Sequence, residues 1–169
     1  MRVFKYVWAL QPDENDRLGV KAQGDFFRDA ISARVDQHDM TPSQLQLAIF
    51  TNMPSWVNNL MALRNRLVGM FGFDVGTPDL TPQSGDLNIG DNAGFLTVIE
   101  KYDDEVISFA EDKHMEFYLS VSKNNGCVVV STLVNQKTLI GRVYVNMIVP
   151  FHYIIARTVI NNAKKAKRL

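Results

Sequence analysis

The apolar residues near the C-terminus recur with a helical period. In residues 141–164 (GRVYVNMIVPFHYIIARTVINNAK), at about 100° per residue, one broad arc carries Tyr144, Ile148, Phe151, Ile155 and Val159. The opposite stripe is narrow and carries Arg142, Asn146, Tyr153, Arg157 and Asn161. The pattern predicts a long helix that is apolar over more than half of its circumference. We expect a large apolar surface to grip it.

The segment before this helix alternates between apolar and polar residues, as strands do. It predicts four antiparallel strands at residues 95–102, 105–111, 114–123 and 127–135. Asn125-Gly126 is a strong signal for a tight hairpin. A further strand at residues 29–35 places Ile31, Ala33 and Val35 on one face, and residues 3–10 have strand-like composition.

Two helices are predicted between residues 41 and 72. Thr41 and Gln44 have the spacing of a capping box, with Pro42 at the first helical position, so the first helix covers about residues 41–50. The second begins at Pro54 and ends near Gly72. Its apolar stripe is widened by Val57, Met61 and Val68, and consists of Trp56, Leu60, Leu63, Leu67 and Phe71. Residues 74–94 form a long loop rich in glycine, proline and aspartate.

This order predicts an α+β fold of the helix-on-sheet kind. A curved antiparallel sheet wraps around the long C-terminal helix, and two further helices follow the first strand. We expect one domain over residues 1–169, with a core at about residues 25–165 and no assigned role for residues 1–24.

Composition and charge exclude several classes of function. Eighteen basic and eighteen acidic residues cancel, so no overall field favours nucleic acid. Cys127 is the one cysteine, which excludes an internal disulfide and a multi-cysteine zinc site. No third ligand is spaced with His114 and His152, so we expect neither metal nor cofactor.

The N-terminus and the apolar C-terminal segment bear on location. Residues 1–16 lack a small-residue cleavage site, so we expect no signal peptide and a cytoplasmic setting. Residues 143–160 approach the length of a membrane span. They are interrupted by polar residues, a histidine and a proline, so we expect no membrane insertion.

Three stretches carry a resemblance to a known family. They are residues 56–72 (WVNNLMALRNRLVGMFG), 111–117 (EDKHMEF) and 141–152 (GRVYVNMIVPFH). With their spacing, roughly residues 25–165 resemble an uncharacterised bacterial family placed in the helix-grip superfamily of START and birch-pollen-allergen domains. The resemblance implies a cavity between the sheet and the long helix. Related domains are fused to short-chain-dehydrogenase-like domains, which implies small-molecule metabolism, but no catalytic residue follows from it.

His114 is the first residue with candidate chemistry. Strand parity places it on the outer face of the sheet, opposite Met115 and Phe117, unless a bulge near residue 112 reverses the assignment. The alternative interpretation is a surface or half-buried histidine bonded to Asp112 or Glu116.

His152 is the second candidate, because it flanks the apolar arc of the last helix. Pro150 removes a backbone hydrogen bond to Asn146 and should kink the helix there. A histidine beside a kink in a partly apolar pocket can bind the polar head of a ligand or act as a general base. The alternative is a buried histidine bonded to the sheet.

Arg64 is the third candidate, because it lies inside the apolar arc of the second helix. A buried guanidinium needs a carboxylate or carbonyl partner. The partner is a ligand carboxylate or one of the acidic residues Glu100, Glu111, Asp112 and Glu116. A structural ion pair, or a side chain that reaches solvent, is the alternative.

The leading hypothesis is a binding domain for a small hydrophobic or amphipathic molecule. Its predicted apolar walls are Trp56, Phe117, Tyr144, Ile148, Phe151 and Ile155. His152 and Arg64 are the polar anchors, or His114 if the strand parity is reversed, and residues 74–94 form a lid. One alternative is a cyclase, isomerase or hydrolase that uses His152 or His114 as acid and base. The other is an interaction domain without a cavity, with a homodimer surface or a redox-domain partner.

Overall fold

A computed structural model describes residues 4–69 and 85–169 and confirms the α+β class. The chain begins with β1 (Val7–Leu10), a 3-10 turn at Gly19–Lys21 and β2 (Phe26–Arg34). Two helices follow, α1 (Pro42–Phe50) and α2 (Ser55–Gly69). The remaining elements are β3 (Asn92–Ala93), β4 (Leu96–Lys101), β5 (Glu105–Glu111), β6 (Met115–Asn124), β7 (Cys127–Gln136) and α3 (Leu139–Lys165).

All seven described strands form one antiparallel, open and curved sheet. Their order is β1-β2-β7-β6-β5-β4-β3, so β2 lies beside β7 although about ninety residues separate them along the chain. The predicted meander is confirmed, including the hairpin in which Asn125 and Gly126 both have positive φ, 49° and 74°. The short strand β3 is an addition, because its two residues are too few to show a period.

The two faces of the sheet are covered by different parts of the chain. On one face, α1 and α3 pack on Ile31, Val130 and Val121, which belong to the main hydrophobic core. We call this the helix face. On the outer face, Leu18 is fully buried against Ile107 and Leu133, so the N-terminal residues before β2 cover part of that face.

Helix α1 forms as its sequence predicts. The Thr41 hydroxyl accepts a hydrogen bond from the Gln44 amide, and the Gln44 side chain accepts one from the Thr41 amide. Leu45 and Ile49 are fully buried beneath the helix. Gln46 is also buried and exchanges hydrogen bonds of 3.0 and 3.2 Å with Ser108.

Helix α2 buries one flank of the predicted apolar arc. Val57 is fully buried and Met61 packs on the main core, whereas Trp56 is 46% exposed and Leu63 is 53% exposed. The prediction is wrong for Trp56 and Leu63, because the apolar arc is wider than the core beneath it and only the side of Val57 and Met61 is covered. The side chain of Arg64, the predicted end of α2 and loop residues 74–84 lie outside the described part of the chain.

Helix α3 is long and apolar but is not enclosed. In its most apolar eighteen-residue window, the mean hydropathy is 1.4 and 22% of the residues are buried. Tyr144 and Val159 face the sheet as predicted, whereas Phe151 is 51% exposed. The expectation that the whole apolar arc is gripped is wrong, because the sheet covers one side of the helix. Length and hydropathy would let α3 cross a membrane, which is weak evidence since core helices of soluble proteins pass the same test.

The basic tail that follows α3 is more ordered than the sequence suggests. Lys164 forms a 2.8 Å ion pair with Asp36, just after β2. Arg168 donates to the carbonyl of Ala48 on α1, and Leu169 is fully buried. The end of the chain therefore folds back onto α1 and the segment after β2.

Candidate functional site

A histidine on α3 and a carboxylate on β2 meet between the sheet and the helix. Nε2 of His152 lies 3.0 Å from Oδ2 of Asp29, and the two side chains are 22% and 7% exposed. Asp29 alternates with Ile31 and Ala33 on the helix face, opposite Thr132 of β7. The sheet therefore holds a carboxylate on an otherwise mainly apolar face, and α3 supplies its partner.

Aromatic rings surround the histidine. The ring of Phe27, one strand period before Asp29, meets the His152 ring edge-on at 5.5 Å and the Tyr153 ring at 6.1 Å. The Arg157 guanidinium lies 5.6 Å from the Tyr153 ring. These contacts fix the imidazole plane on one side while the ring remains partly open to solvent.

The apolar neighbours of the pair come from β2, β6, β7 and α3. Tyr144, Val145, Met115 and Val134 form a buried cluster, against which Phe27, Phe117, Ile148 and Val149 pack. Phe27 belongs to this cluster and also contacts His152, so it joins the polar pair to the apolar cluster. We define the α3–sheet site as Phe27, Asp29, Phe117, Tyr144, Ile148 and His152.

The remaining predicted wall residues lie elsewhere. Ile155 packs on the main core. Phe151 points away from the sheet, and Trp56 is on the exposed side of α2. Neither Phe151 nor Trp56 is among the described contacts of the α3–sheet site. The helical wheel placed Phe151 on the edge of the buried arc, where a small rotation of the helix decides whether a residue faces in or out.

His114 has a structural position at the start of α3. It is 6% exposed, and its Nδ1 lies 2.9 Å from the Thr138 hydroxyl, which also caps α3 by accepting from the Gly141 amide. Its backbone amide donates a hydrogen bond to the Asp112 side chain. The prediction of an outer-face, surface or half-buried histidine is wrong. Residues 112–114 form a turn, so strand parity applies only from Met115 onward.

Sequence reasoning missed Asp29, although a signal for it was present. The strand predicted at residues 29–35 begins with Asp29, which shares its face with Ile31, Ala33 and Val35. A carboxylate on the apolar face of a strand needs a partner if buried. Parity therefore marks Asp29, but it does not reveal that the partner lies 123 residues later in the chain.

A concavity lies on the outer face of the sheet. Its volume is about 540 Å³, and residues of the N-terminal segment face a floor made of small side chains, Ala30, Ser120, Ser122, Val129 and Ser131. This volume is within the range of small-molecule sites, roughly 300–1,000 Å³. The sequence analysis did not anticipate it, because residues 1–24 had no assigned place.

Three charged groups of this outer cavity are paired with each other. Arg17 donates hydrogen bonds to Glu105 at 2.8 Å and to Asp104 at 2.9 Å. These bonds raise the pKa of the Arg17 guanidinium above its ordinary value. Ser120 donates to the other oxygen of Glu105, which is itself buried. This network attaches the N-terminal segment to β5 and β6, so we assign it a structural role.

The family of the chain follows from one comparison. A family model described as "Protein of unknown function (DUF2867)" matches residues 22–159. The chain belongs to the DUF2867 family. It matches no curated protein and no solved structure. The match to DUF2867 includes every residue of the α3–sheet site, and it leaves out β1 and most of the N-terminal segment.

The α3–sheet site of this DUF2867 domain has defined chemical capacities. A carboxylate only accepts hydrogen bonds, so the Nε2 proton of His152 is directed at Asp29. In the neutral imidazole this leaves the lone pair on Nδ1, which can accept a proton or a ligand hydrogen bond. Among the described residues, no group of three His, Cys, Asp or Glu side chains is arranged to hold a metal ion.

Proposed function

We propose that this DUF2867 domain binds a small amphipathic molecule between the helix face of the sheet and α3. The observation that carries the proposal is the Asp29–His152 pair, held beside Phe27 and next to an apolar cluster. Small-molecule sites combine mostly apolar walls with a few polar groups that fix orientation. The ligand would place its hydroxyl or acidic group at His152 and its apolar part against Phe117, Tyr144 and Ile148.

The energetics of the pair support a functional role. Burying a carboxylate costs several kcal/mol unless its partners compensate, and apolar replacements of buried ion pairs are often neutral or stabilising. Asp29 is nonetheless kept on the helix face, with a partner that stays partly reachable from solvent. A ligand can therefore reach the pair from solvent.

The element order supports the helix-grip part of the proposal. The chain order is a strand, two helices, an antiparallel meander and a long helix. Strand β2 pairs with β7. We retain a cytoplasmic setting as part of the proposal. The lid proposed for residues 74–94 lies partly outside the described chain.

A fluorescent fatty-acid analogue, cis-parinaric acid, tests the binding site. We expect the purified protein to enhance its fluorescence with saturation. His152→Ala should weaken the affinity by roughly 10- to 100-fold, since a charge-assisted hydrogen bond is worth about 1.5–3 kcal/mol. His38→Ala is the matched control, because His38 is exposed and lies beside Gly126 in the turn between β6 and β7, whereas Asp29 pairs with Thr132 further along β7. Equal affinities of the wild type and His152→Ala would contradict the assignment of the anchor.

The site also favours one catalytic alternative, a general acid–base enzyme. An imidazole oriented by a buried carboxylate is the arrangement that proton transfer requires. To separate the two functions, molecules that co-purify with the protein are identified by native mass spectrometry and denaturing extraction, then incubated with fresh protein. If a compound is converted, His152→Gln should retain its binding and abolish its conversion. Binding without conversion favours the first proposal.

A further inference from the structure

One side of α3 carries a row of exposed apolar residues. Five of them are more than half exposed: Ile140 (51%), Val143 (58%), Met147 (65%), Phe151 (51%) and Ile154 (52%). They lie within one narrow arc of the helix, on the side opposite Val145 and Val159, which are buried. We call these five residues the α3 row. The row is about 21 Å long, at 1.5 Å per residue.

The row is symmetric about its centre. Its successive spacings are three, four, four and three residues, so Met147 stands in the middle. If a second α3 packs antiparallel with a two-fold axis through Met147, Ile140 meets Ile154 of the partner and Val143 meets Phe151 of the partner. An interface of this kind is self-complementary, as two-fold symmetry requires.

We propose that the α3 row is a homodimer interface and that a second copy of this chain covers it in an antiparallel arrangement. The proposal does not rest on the α3–sheet site, which lies on the other side of the helix. It predicts that each protomer contributes the same five side chains to one helix–helix contact.

The exposed area is compatible with a dimer. Together with Leu139, which is 72% exposed, the row exposes on the order of 600 Å² of mostly apolar surface, and its polar flanks bring this close to the ~800 Å² per partner of a standard interface. Monomeric soluble proteins rarely expose a larger contiguous apolar patch.

The polarity of α3 favours the antiparallel orientation. A helix carries a macrodipole with its positive end at the N-terminus, so two antiparallel helices set opposite ends side by side, whereas two parallel helices set like ends together. The side-chain charges of α3 do not oppose the contact. Residues 139–165 contain no aspartate or glutamate, Arg142 is paired with Asp25, and Arg157 lies against the Tyr153 ring.

The first test is the oligomeric state of the full chain in solution. We expect native mass spectrometry and light scattering to show a dimer at micromolar concentration. Met147→Lys places two ammonium groups at the axis and should raise the dimer dissociation constant at least about 100-fold. Ile89→Lys is the control, because Ile89 is 65% exposed but lies outside α3, and it should leave the dimer intact. A monomeric wild type, or a dimer that tolerates Met147→Lys, would overturn the proposal.

Cross-linking tests the register in a Cys127→Ala background. Met147→Cys should form a disulfide-linked dimer on its own under mild oxidation, because the axis brings the two thiols together. Val143→Cys and Phe151→Cys should cross-link efficiently only when the two variants are mixed. Self-linking of Val143→Cys, without the mixed product, indicates a parallel pair and overturns the antiparallel arrangement.

Lipid is the rival occupant of an exposed apolar helix face. Sedimentation with vesicles of phosphatidylcholine and phosphatidylglycerol distinguishes it. We expect the dimeric wild type to remain in the supernatant. A monomer that sediments with the vesicles, and loses this property in Met147→Lys, would assign the row to a membrane surface and overturn the dimer.

Discussion

At the scale of single residues, the close approach of neighbouring elements explains the residues at two places in the fold better than hydrophobicity does. Asp29 and His152 are both polar, yet the sheet and α3 hold them together at 3.0 Å in largely apolar surroundings. Gly141 is the second case. A Cβ on Gly141 would lie 2.3 Å from the carbonyl oxygen of His114, far inside van der Waals contact. The junction between the β5–β6 turn and the first turn of α3 therefore requires glycine.

Gly141→Ala should accordingly destabilise the protein. Helix propensity alone would favour alanine by about 0.5–1 kcal/mol, but the clash is with backbone and overpacking costs typically 1–3 kcal/mol. We expect a net loss of about 1–2 kcal/mol in the free energy of unfolding, measured by urea titration. Gly69→Ala in α2 is the control, because no atom of the described residues lies within 4 Å of its Cβ position. Two variants of equal stability would contradict the close approach.

At the scale of elements, caps and hairpins follow local sequence, whereas helix faces do not. The α1 capping box and the Asn125-Gly126 hairpin formed as predicted, because each depends on residues three or fewer positions apart. For α2 and α3, the apolar residues span more of the circumference than one neighbour can cover. The side that becomes buried is then chosen by the sheet. This explains why Trp56 and Phe151 are exposed and why the α3 row exists.

The end of α3 is tied to the end of β2 by an ion pair that should respond to acid. The hydrogen bond and charge of Lys164 lower the pKa of Asp36 below its ordinary value. A lowered folded-state pKa contributes stability above the unfolded pKa of about 4 and loses it as pH falls through the folded pKa.

We therefore expect acid to destabilise the wild type more than Asp36→Asn below about pH 4. Urea unfolding at neutral pH and at acidic pH measures the difference. Asp39→Asn is the control, since Asp39 is also exposed and follows in the same loop. An identical acid dependence of Asp36→Asn and the wild type would show that the ion pair adds no stability.

At the scale of the whole molecule, the N-terminal segment changes the character of the sheet. Leu18 is fully buried on the outer face, and Arg17 bonds to Asp104 and Glu105 beside it. The sheet is consequently covered on both faces, at least in part. A further long-range contact ties β6 to the segment that leads into α1. The Lys123 ammonium donates hydrogen bonds to the carbonyls of His38 and Met40.

Leu18→Ala tests how much the segment contributes. Removing a fully buried leucine costs about 2–5 kcal/mol of unfolding free energy. Val20→Ala should be close to neutral because Val20, two residues later, is 71% exposed. Thermal or urea unfolding of both variants gives the comparison. A loss below about 1 kcal/mol for Leu18→Ala would mean that the segment is held only weakly on the outer face.

The sequence alone determined the α+β class, the meander and the limits of most elements. It also determined which residues within a strand share a face. These depend on periodicity and turn chemistry, which act within a few residues. It also identified His152, Tyr144, Ile148 and Phe117, four of the six residues of the α3–sheet site. Tertiary structure decided the pairing of Asp29 with His152, the burial of His114 at Thr138, and the place of the N-terminal segment. The contacts behind the pairing and the N-terminal segment join residues far apart in the chain. Such contacts depend on how α3 rotates and where the sheet ends, which no local pattern records.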